Sequence, residues 1–399
     1  MDVALFMTVG TGIGPNKEEK IKSLAHGLLS AVIHYDPDKI VFFGSETSKD
    51  TVDSLKSQYL EERTKELVEH EFVVIDAIDD FDDCFGAMKA KIEAHDGYEV
   101  VIDYTSGTKT MTMSAAICSM LYHKRLSLVA GKRGKTGIVI PGTEKIVEQS
   151  LYAAYDKFLF DRVKNLFNSY RFGEAKTILS QIIVFDEKEK YEELILAYDL
   201  WDKFDHKAAF ERLKEVRDER ISQNKGFLGR LNHAEQNTMT FILADLLNNA
   251  SRRIEEGKYD DAVARLYRTI ELIAQVKLLD YDLDDLSDKK FTMDDLKEKK
   301  IDLSKYETYA DDKGRLKLGL EKKFELLKDL GWEEADRIYF ENKRLKDLLK
   351  KRNSSILAHG LEPVEKETAE GLFNEVKEYA RIILQNIDEL MECARFPEL

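Results

Sequence analysis

A short segment near the C-terminus carries side chains that could act on a phosphodiester. Residues 351–360 read KRNSSILAHG, and Arg352 and His359 stand seven residues apart. In one continuous helix that spacing is close to two turns, so both side chains would share a face, with Asn353 at its edge. Gly360 is a stop signal, which places His359 in the last turn, where the helix dipole favours a protonated imidazole. A guanidinium binds phosphate oxygens and an imidazole moves protons near neutral pH, so we predict phosphodiester chemistry.

The helix expected to carry this motif is basic. It is predicted to begin near Asn342, with an apolar stripe of Leu345, Leu348, Leu349 and Ile356. Six of the ten residues from Lys343 to Arg352 are basic and only Asp347 is acidic. The whole chain has 61 Lys and Arg against 76 Asp and Glu, a formal net charge of -15. A basic island on an acidic protein is a candidate anion-binding surface, although chance spacing and ordinary helix capping also explain the motif.

The composition describes a globular protein of two or three domains. Hydrophobic residues make up 43% of its 399 residues and charged residues 34%. The acidic balance argues against broad, sequence-independent coating of nucleic acid. Cys84, Cys118 and Cys393 share no CxxC spacing, and no leader or membrane-spanning run is evident. We therefore expect a cytoplasmic protein in a reducing compartment, with no metal site and no membrane partner.

The first 148 residues alternate short apolar strands with helices. Strands are predicted at 3–9, 39–43, 71–78, 99–103, 126–129 and 137–140. Continuous apolar strands that alternate with helices predict an α/β domain, a Rossmann-like parallel sheet covered on both faces. In such sheets, ligands bind at the carboxyl ends of the strands, where the strand order switches.

Three of those strand ends carry small, hydroxyl-rich or glycine-rich turns. They read Gly10-Thr11-Gly12, Gly44-Ser45-Glu46-Thr47 and Thr105-Ser106-Gly107-Thr108-Lys109. Backbone amides at a helix N-terminus, hydroxyls and one lysine form a phosphate cradle, so we predict ligand contacts here. Ordinary turns and N-caps use the same small residues, but capping alone does not explain Lys109.

Two apparent nucleotide-binding motifs do not fit. In the run from Gly10 to Gly14, the third glycine comes one residue early for a dinucleotide fingerprint, and Pro15 holds the required place. Gly134-Lys135-Thr136 resembles the end of a Walker A loop, but Val129 stands where its first glycine should be. We therefore predict neither a nicotinamide enzyme nor a P-loop NTPase.

From about Gln149 onward the pattern is helical. We predict a helical linker over 149–235, with a boundary near Asn224–Arg230, and a C-terminal helical bundle over 236–399. Helices are expected at 151–171, 172–185, 191–217, 238–256, 259–279, 316–330, 332–353 and 365–393, with Gly257 between the fourth and fifth. The fold class is thus α/β plus all-α.

The combination of these motifs resembles a known family. Residues 103–111, DYTSGTKTM, joined through helices to the Arg352-Asn353…His359 motif, resemble the CARF–HEPN ribonucleases of type III CRISPR systems. The resemblance covers the whole chain. The HEPN motif is an arginine, usually a polar residue, and a histidine after four to six intervening residues; here there are six.

The resemblance implies a homodimer that binds a cyclic oligoadenylate across its two-fold axis and cleaves single-stranded RNA without a metal. In such a reaction the RNA 2′-hydroxyl attacks the adjacent phosphate, leaving a 2′,3′-cyclic phosphate and a 5′-hydroxyl, at a site built from two HEPN motifs. Arg352 would stabilise charge on the phosphorane, and Asn353 would orient the phosphate or its neighbours. His359 would transfer protons or add a second positive contact. Arg265, Arg268 and Lys351 would extend the RNA path; alternatively, the two arginines are ordinary solvated residues of a helix surface.

The same resemblance assigns the activator site. The family's ligand-binding positions correspond to Thr11, Ser45, Thr105, Ser106, Gly107, Thr108 and Lys109, and the neighbouring Gly12 and Thr47 complete the set. Some members slowly cleave their activator, which would give Thr11 and Lys109 a further role. Activator binding would change the spacing of the two HEPN motifs through the helical linker.

Three other functions remain open at this level. The helical bundle could serve a nucleotide-responsive regulator that only dimerises or docks partners. It could belong to a HEPN toxin that transfers nucleotidyl groups and ignores cyclic oligoadenylates. A sensor-coupled deoxyribonuclease would need paired carboxylates and a lysine on a strand-rich core, which the helical half does not offer.

Overall fold

The chain forms two compact units. The computed structural model describes residues 2–11, 16–132, 139–140, 142–233, 238–285, 290–358 and 360–399. The N-terminal unit comprises Met1–Phe158 with Ile183–Phe185, and the helical unit comprises Leu159–Ile182 with Asp186–Leu399. No helix in these described ranges is both long enough and apolar enough to cross a membrane.

A six-stranded sheet forms the centre of the N-terminal unit. Its strands are β1 (Val3–Thr8), β2 (Lys39–Gly44), β3 (Glu69–Val74), β4 (Glu99–Asp103), β5 (Arg125–Ala130) and β6 (Lys145–Gln149). The spatial order is β3-β2-β1-β4-β5-β6, and every neighbouring pair is parallel except β5 and β6. The predicted Rossmann-like parallel sheet is therefore confirmed.

Helices cover both faces of this sheet. They are α1 (Lys17–Tyr35), α2 (Lys49–Arg63), α3 (Phe81–Ala94) and α4 (Lys109–Leu121). Leu5 and Met7 of β1 point into the core beneath α1 and α2, whereas Ala4 and Phe6 point into the core beneath α3 and α4. Because both faces of the central strands are buried, their sequences are continuously apolar rather than alternating.

Two strand predictions were misplaced. The third strand is Glu69–Val74 rather than 71–78, because the chain leaves the sheet after pairing with β2 through Gly44. The described strand that closes the sheet is Lys145–Gln149, antiparallel to β5. Of the strand predicted over 137–140, residues 139–140 are described and lie outside it. Residues 133–138, which include Gly134-Lys135-Thr136, lie outside the described residues, as do Gly12 to Pro15.

Helices α5 to α16 make up the rest of the chain. They are α5 (Tyr152–Asn168), α6 (Phe172–Ser180), α7 (Lys188–Asp202), α8 (His206–Leu213), α9 (Ser222–His233), α10 (Thr238–Glu255), α11 (Tyr259–Leu279), α12 (Met293–Lys297), α13 (Leu320–Asp329), α14 (Lys343–Asn353), α15 (Lys366–Ile383) and α16 (Ile387–Cys393). The predicted α10–α11 hairpin is confirmed to within one residue. Gly257 between them adopts φ +73°, a conformation that favours glycine.

Several predicted helices are shorter than the sequence pattern suggested. The helix expected over 191–217 breaks between α7 and α8 at Phe204, whose φ is +67°. The helix expected over 332–353 divides into a π-helix, Asp336–Phe340, and α14. The stretch Asn224–Arg230, where we predict a boundary, lies inside α9, and Phe227 and Leu228 are fully buried.

Candidate anion-binding edge and candidate phosphodiester site

The three glycine- and hydroxyl-rich loops meet at one edge of the sheet. They follow β1, β2 and β4, and these strands are neighbours in the order β2-β1-β4. Because the strands are parallel, their carboxyl ends lie together, and the strand order reverses between β1 and β4. The structure thus brings Thr11, Ser45, Thr47 and residues 105–109 to one edge, as the sequence predicted. Gly12 lies outside the described residues.

Hydrogen bonds tie the β1 loop to the β4 loop. The backbone N–H of Gly10 donates to Ser106 Oγ at 2.8 Å, and the Thr8 hydroxyl donates to the Ser106 carbonyl. A Cβ on Gly10 would lie only 2.9 Å from Ser106 Oγ, so the close approach requires glycine. The β2 loop has its own pair, with Ser45 Oγ 3.0 Å from Thr47 Oγ1. The edge is therefore largely pre-formed.

The β4 loop shapes the start of α4. Gly107 has φ +114°, and Thr108 Oγ1 accepts a hydrogen bond from the Met111 N–H at 3.2 Å while donating to the Ile78 carbonyl at 2.8 Å. Thr105 Oγ1 accepts from the Val129 N–H at 2.7 Å. The hydroxyls of Thr105, Ser106 and Thr108 thus have structural partners that fix the loop.

Lys109 is an exposed cation at this edge. It is the first residue of α4, and its ammonium has no hydrogen-bond or salt-bridge partner among the described residues. A cation at a helix N-terminus opposes the helix dipole, so it gains nothing from the helix itself. The N-terminus of α4, its free amides and Lys109 together form a site suited to an anion.

The sequence did not identify Asp103 as part of this edge. Its carboxyl is fully buried, Oδ1 accepts a hydrogen bond from the Thr105 N–H at 3.0 Å, and Oδ2 has no partner among the described residues. Burial raises the pKa of this carboxyl to about 6, against the lowering effect of the bonds with Thr105. The sequence did offer a signal for Asp103: an acidic residue at the end of an apolar strand, directly before the TSGTK loop.

We expect Asp103→Asn to stabilise the protein above neutral pH. The raised pKa means that the folded state holds the proton more tightly than the unfolded chain. The contribution of the protonated Asp103 carboxyl to wild-type stability is therefore greatest in acid, and it is lost as pH rises through about 6. Asparagine keeps an acceptor for Thr105 but does not ionise, so the free energy of unfolding should gain up to about 3 kcal/mol at pH 8 and nothing below about pH 4. Denaturant titration across pH measures this.

The matched control for that measurement is Asp53→Asn. Asp53 is an acid of the same unit with 73% of its side chain exposed. Its substitution should leave the pH profile of stability unchanged. A gain for Asp103→Asn that is equal at pH 4 and pH 8 would contradict the proposed ionisation.

The second site lies at the C-terminal end of α14. Asn342 caps the helix by accepting from the Leu345 N–H at 2.8 Å, and Leu345 and Leu349 are buried. The prediction that this helix continues to His359 is wrong, because it ends at Asn353. Ile356 is 66% exposed and does not belong to the apolar stripe. Arg352 and Asn353, rather than His359, therefore occupy the last turn.

Beyond α14 the chain makes a compact turn around Ser355. The Ser355 carbonyl accepts from the N–H groups of Ala358 at 3.0 Å and Gly360 at 3.2 Å. A Cβ on Gly360 would lie 1.9 Å from the Ser354 carbonyl oxygen, so glycine is required here for close backbone approach rather than as a helix stop. Ala358 and Gly360, on either side of position 359, are thus hydrogen-bonded to Ser355, which lies three residues after Arg352. His359 itself lies outside the described residues.

Arg352 stacks on an aromatic ring from another helix. Its guanidinium carbon is 4.2 Å from the ring centroid of Tyr267 in α11, and its Nη1 donates to Asn353 Oδ1 at 3.1 Å. Burial raises the pKa of Tyr267, Glu271 raises it further, and Arg352 lowers it. Sequence reasoning named the basic residues around Tyr267 but not the ring itself, because only the tertiary fold places α11 against α14.

The predicted RNA-contact residues differ in how firmly other side chains hold them. Arg265 is held inside the α10–α11 hairpin by Asn249 and by Asp261, whose Oδ1 lies 3.1 Å from Nη1. Arg268 is 46% exposed and donates to Gln275 at 2.7 Å, and Lys351 Nζ is 3.4 Å from Thr368 Oγ1. To reach a substrate, Arg265 would have to give up its hydrogen bonds to both Asn249 and Asp261. Arg268 and Lys351 are more exposed.

Comparison with known proteins places the chain in a family. Residues 155–242 match the family model of the Csm6 6H domain, and residues 231–383 match that of the Csm6 HEPN domain. A solved structure of Enterococcus italicus Csm6, bound to cyclic hexa-2′-fluoro-hexa-dAMP, shares the fold with a TM-score of 0.68 at 14% identity. The alignment covers 99% of this chain and 98% of that one. A comparison with curated proteins gave no match.

A Rossmann-like domain followed by helical 6H and HEPN domains is the architecture of CARF–HEPN proteins, a class of CRISPR-associated nucleases. Within that class the chain belongs to the Csm6 family. Among the residues that the structure describes, no group of three or more His, Cys, Asp or Glu side chains is arranged to hold a metal ion.

Proposed function

We propose that this protein is a cyclic-oligoadenylate-activated endoribonuclease of type III CRISPR defence that cleaves single-stranded RNA without a metal ion. The observation that carries the proposal is the placement of Arg352 and Asn353 together in the last turn of a basic helix, inside the segment that matches the Csm6 HEPN domain. The same proposal divides the chain into three domains: a nucleotide-sensing domain over 1–148, a helical linker over 149–235 and a catalytic domain over 236–399.

The proposed reaction is an internal transesterification. The RNA 2′-oxygen bonds to the adjacent phosphorus as the bond to the 5′-oxygen breaks, giving a 2′,3′-cyclic phosphate and a 5′-hydroxyl. The 2′-hydroxyl loses its proton and the leaving oxygen gains one, and His359 carries out this transfer. Arg352 stabilises the charge that develops on the phosphorane oxygens, and Asn353 orients the phosphate.

A second copy of the chain completes the proposed site. The turn beside the motif exposes three apolar side chains, Ile356 at 66%, Leu357 at 49% and Leu361 at 88%. Exposed apolar side chains grouped beside a functional motif favour an interface with another protein. In a homodimer these side chains would be covered while two Arg352–His359 motifs meet at one composite site.

We propose the sheet edge of the N-terminal unit as the activator site. The free Lys109 ammonium, the N-terminus of α4 and the pre-formed loops suit the phosphodiester ring of a cyclic oligoadenylate, the class of ligand present with the Enterococcus italicus protein. Its binding would reach the HEPN motifs through the helical linker. Slow cleavage of the bound activator, with Thr11 and Lys109 taking part, belongs to the same proposal.

The test is a titration of RNA cleavage with cyclic tetra-adenylate and cyclic hexa-adenylate, with and without EDTA. We expect one ring size to activate cleavage, EDTA to leave the rate unchanged, and the products to carry 2′,3′-cyclic phosphates. The Arg352→Ala/His359→Ala protein serves as the inactive control. An unchanged rate in that variant would favour the regulator, cleavage that ignores activator would favour the toxin, and loss of activity with EDTA would indicate a metal-dependent nuclease.

The exposed lysines of α14 give a prediction about RNA binding. Lys343, Lys346 and Lys350 follow one another at helical spacing on one exposed face that continues to Asn353. Replacing all three by alanine should raise the KM for a long RNA about tenfold and leave kcat nearly unchanged. It should also reduce the dependence of log affinity on log salt by about 2, since each single-strand phosphate contact contributes about 0.7.

The matched control is the triple alanine variant at Lys297, Lys299 and Lys300. These lysines lie at and beyond the end of α12 and carry the same formal charge. Their removal should leave both KM and the salt dependence unchanged. An equal loss in the two variants would mean that total charge, rather than the α14 face, governs RNA affinity.

A further inference from the structure

Tyr267 lies directly against the arginine of the phosphodiester site. Its ring is contributed by α11, and the Arg352 guanidinium carbon stands 4.2 Å from the ring centroid. Both side chains are half-buried. A guanidinium over an aromatic face is held by the ring quadrupole, and the attraction grows as water is excluded. The ring thus covers one face of the guanidinium and leaves its edge for other partners.

The remaining contacts of Arg352 make this ring important. Nη1 donates to Asn353 Oδ1 at 3.1 Å, and the buried Nε has no hydrogen-bond partner among the described residues. No carboxylate in that part of the chain forms a salt bridge with Arg352. By contrast, Arg252 and Arg253 of the same unit are oriented by the carboxylate of Asp202. The orientation of Arg352 therefore depends on Tyr267 and Asn353.

An aromatic support suits a catalytic arginine better than a carboxylate does. A carboxylate would occupy the N–H groups that must bind phosphate and would neutralise the charge that stabilises the transition state. The ring holds the guanidinium plane while leaving its donors and its charge available.

Tyr267 is itself fixed by its surroundings. It lies in the middle of α11, between the buried residues Leu266 and Thr269, so the helix cannot shift without disturbing the core. Tyr339 lies in the π-helix Asp336–Phe340; burial raises its pKa to about 12, and Tyr267 is near enough to add to this effect. A π-helix is rare and frequently accompanies functional sites.

We propose that Tyr267 is a positioning residue for the reaction: its ring face holds the Arg352 guanidinium in the plane in which it contacts the scissile phosphate. The inference rests on the proposed ribonuclease function. Its hydroxyl has no hydrogen-bond partner among the described residues, so the ring and not the hydroxyl carries the role.

Three variants test this in the full-length protein with activator and a defined RNA. Tyr267→Leu should lower kcat about tenfold, equivalent to about 1.4 kcal/mol of transition-state stabilisation, with KM changed less than threefold. Tyr267→Phe should restore kcat to within about twofold of wild type. Tyr281→Leu removes a tyrosine near the end of the same helix, where Lys277 Nζ lies 5.8 Å from its ring, and should leave kcat unchanged.

These variants, with one further measurement, distinguish the possible outcomes. A second measurement is single-turnover cleavage in an Arg352→Ala background. There Tyr267→Leu should cause no further loss of rate, because the ring has no guanidinium to hold. If the wild-type protein cleaves RNA and Tyr267→Leu is fully active, the inference is overturned and the proposed function stands. The inference is also overturned if Tyr267→Phe and Tyr267→Leu lose equal activity. The same holds if Tyr267→Leu has as large an effect in the Arg352→Ala background as in the wild-type protein. A wild-type protein that cleaves no RNA under any cyclic oligoadenylate would overturn both.

Discussion

Arg352→Ala should reduce activator-stimulated RNA cleavage by on the order of 1,000-fold. The guanidinium is the one cation in the last turn of α14 that is stacked on a ring and adjacent to Asn353, so no neighbouring side chain can take its place. Charged groups that stabilise a phosphoryl transition state contribute losses of this size when removed. Single-turnover cleavage of a fluorescent RNA under saturating activator measures the effect.

The control for this prediction is Arg344→Ala. Arg344 lies on the same helix, is 65% exposed, and pairs with Glu375 at 3.1 Å. Its loss removes the same charge from α14 without touching the motif, so kcat should stay within about threefold of wild type. Arg352→Ala should keep the activator affinity of the N-terminal unit. Retention of more than a tenth of the wild-type kcat would contradict a catalytic role for Arg352.

Lys109→Glu should raise the activator concentration needed for half-maximal cleavage about 100-fold. The substitution removes a free cation from the N-terminus of α4 and puts an anion beside the proposed phosphodiester ring, a change worth about 2.7 kcal/mol of binding. Glutamate at the first position of a helix is favourable for the helix itself, so folding should not suffer. Titration of cleavage with the activating ring measures the shift, and excess activator should restore the maximal rate.

Lys89→Glu is the matched control in the same unit. Lys89 lies on α3, is 46% exposed, and stands 3.9 Å from Glu93. Charge reversal there lowers the net charge equally but should leave the activator response unchanged. A similar shift in both variants would mean that long-range charge, and not a contact at the sheet edge, sets activator affinity. A normal response of Lys109→Glu would place the activator elsewhere.

Much of the N-terminal unit followed from its sequence. Apolar strands alternating with helices predicted a parallel sheet, and the strand order confirmed it. The three loops were predicted to share an edge because parallel strands end on one side. Burial of Asp103 did not follow, because an acid after an apolar run is exposed or buried according to what packs above it. Only the tertiary structure shows that Asp103 is fully buried, which raises its pKa despite the lowering effect of the hydrogen bond from Thr105.

The helical unit followed its sequence less closely. The α10–α11 hairpin was predicted to within one residue because apolar periodicity and Gly257 act locally. The end of α14 was misjudged because Ser354 and Ser355 do not forbid a helix. The chain turns there through backbone hydrogen bonds and the close approach of Gly360 to Ser354. Local preference was weak, and tertiary packing decided the outcome.

The sequence by itself determined which groups are present at the two candidate sites. One has a loop of small residues with one lysine, and the other has an arginine and an amide in a basic helix, with a histidine six residues further along the chain. Tertiary structure decided which neighbours act on them. Tyr267 lies 85 residues before Arg352 and reaches it only because α11 packs against α14. Periodicity reports the face of a helix that is buried, but not the residue of another helix that will meet it.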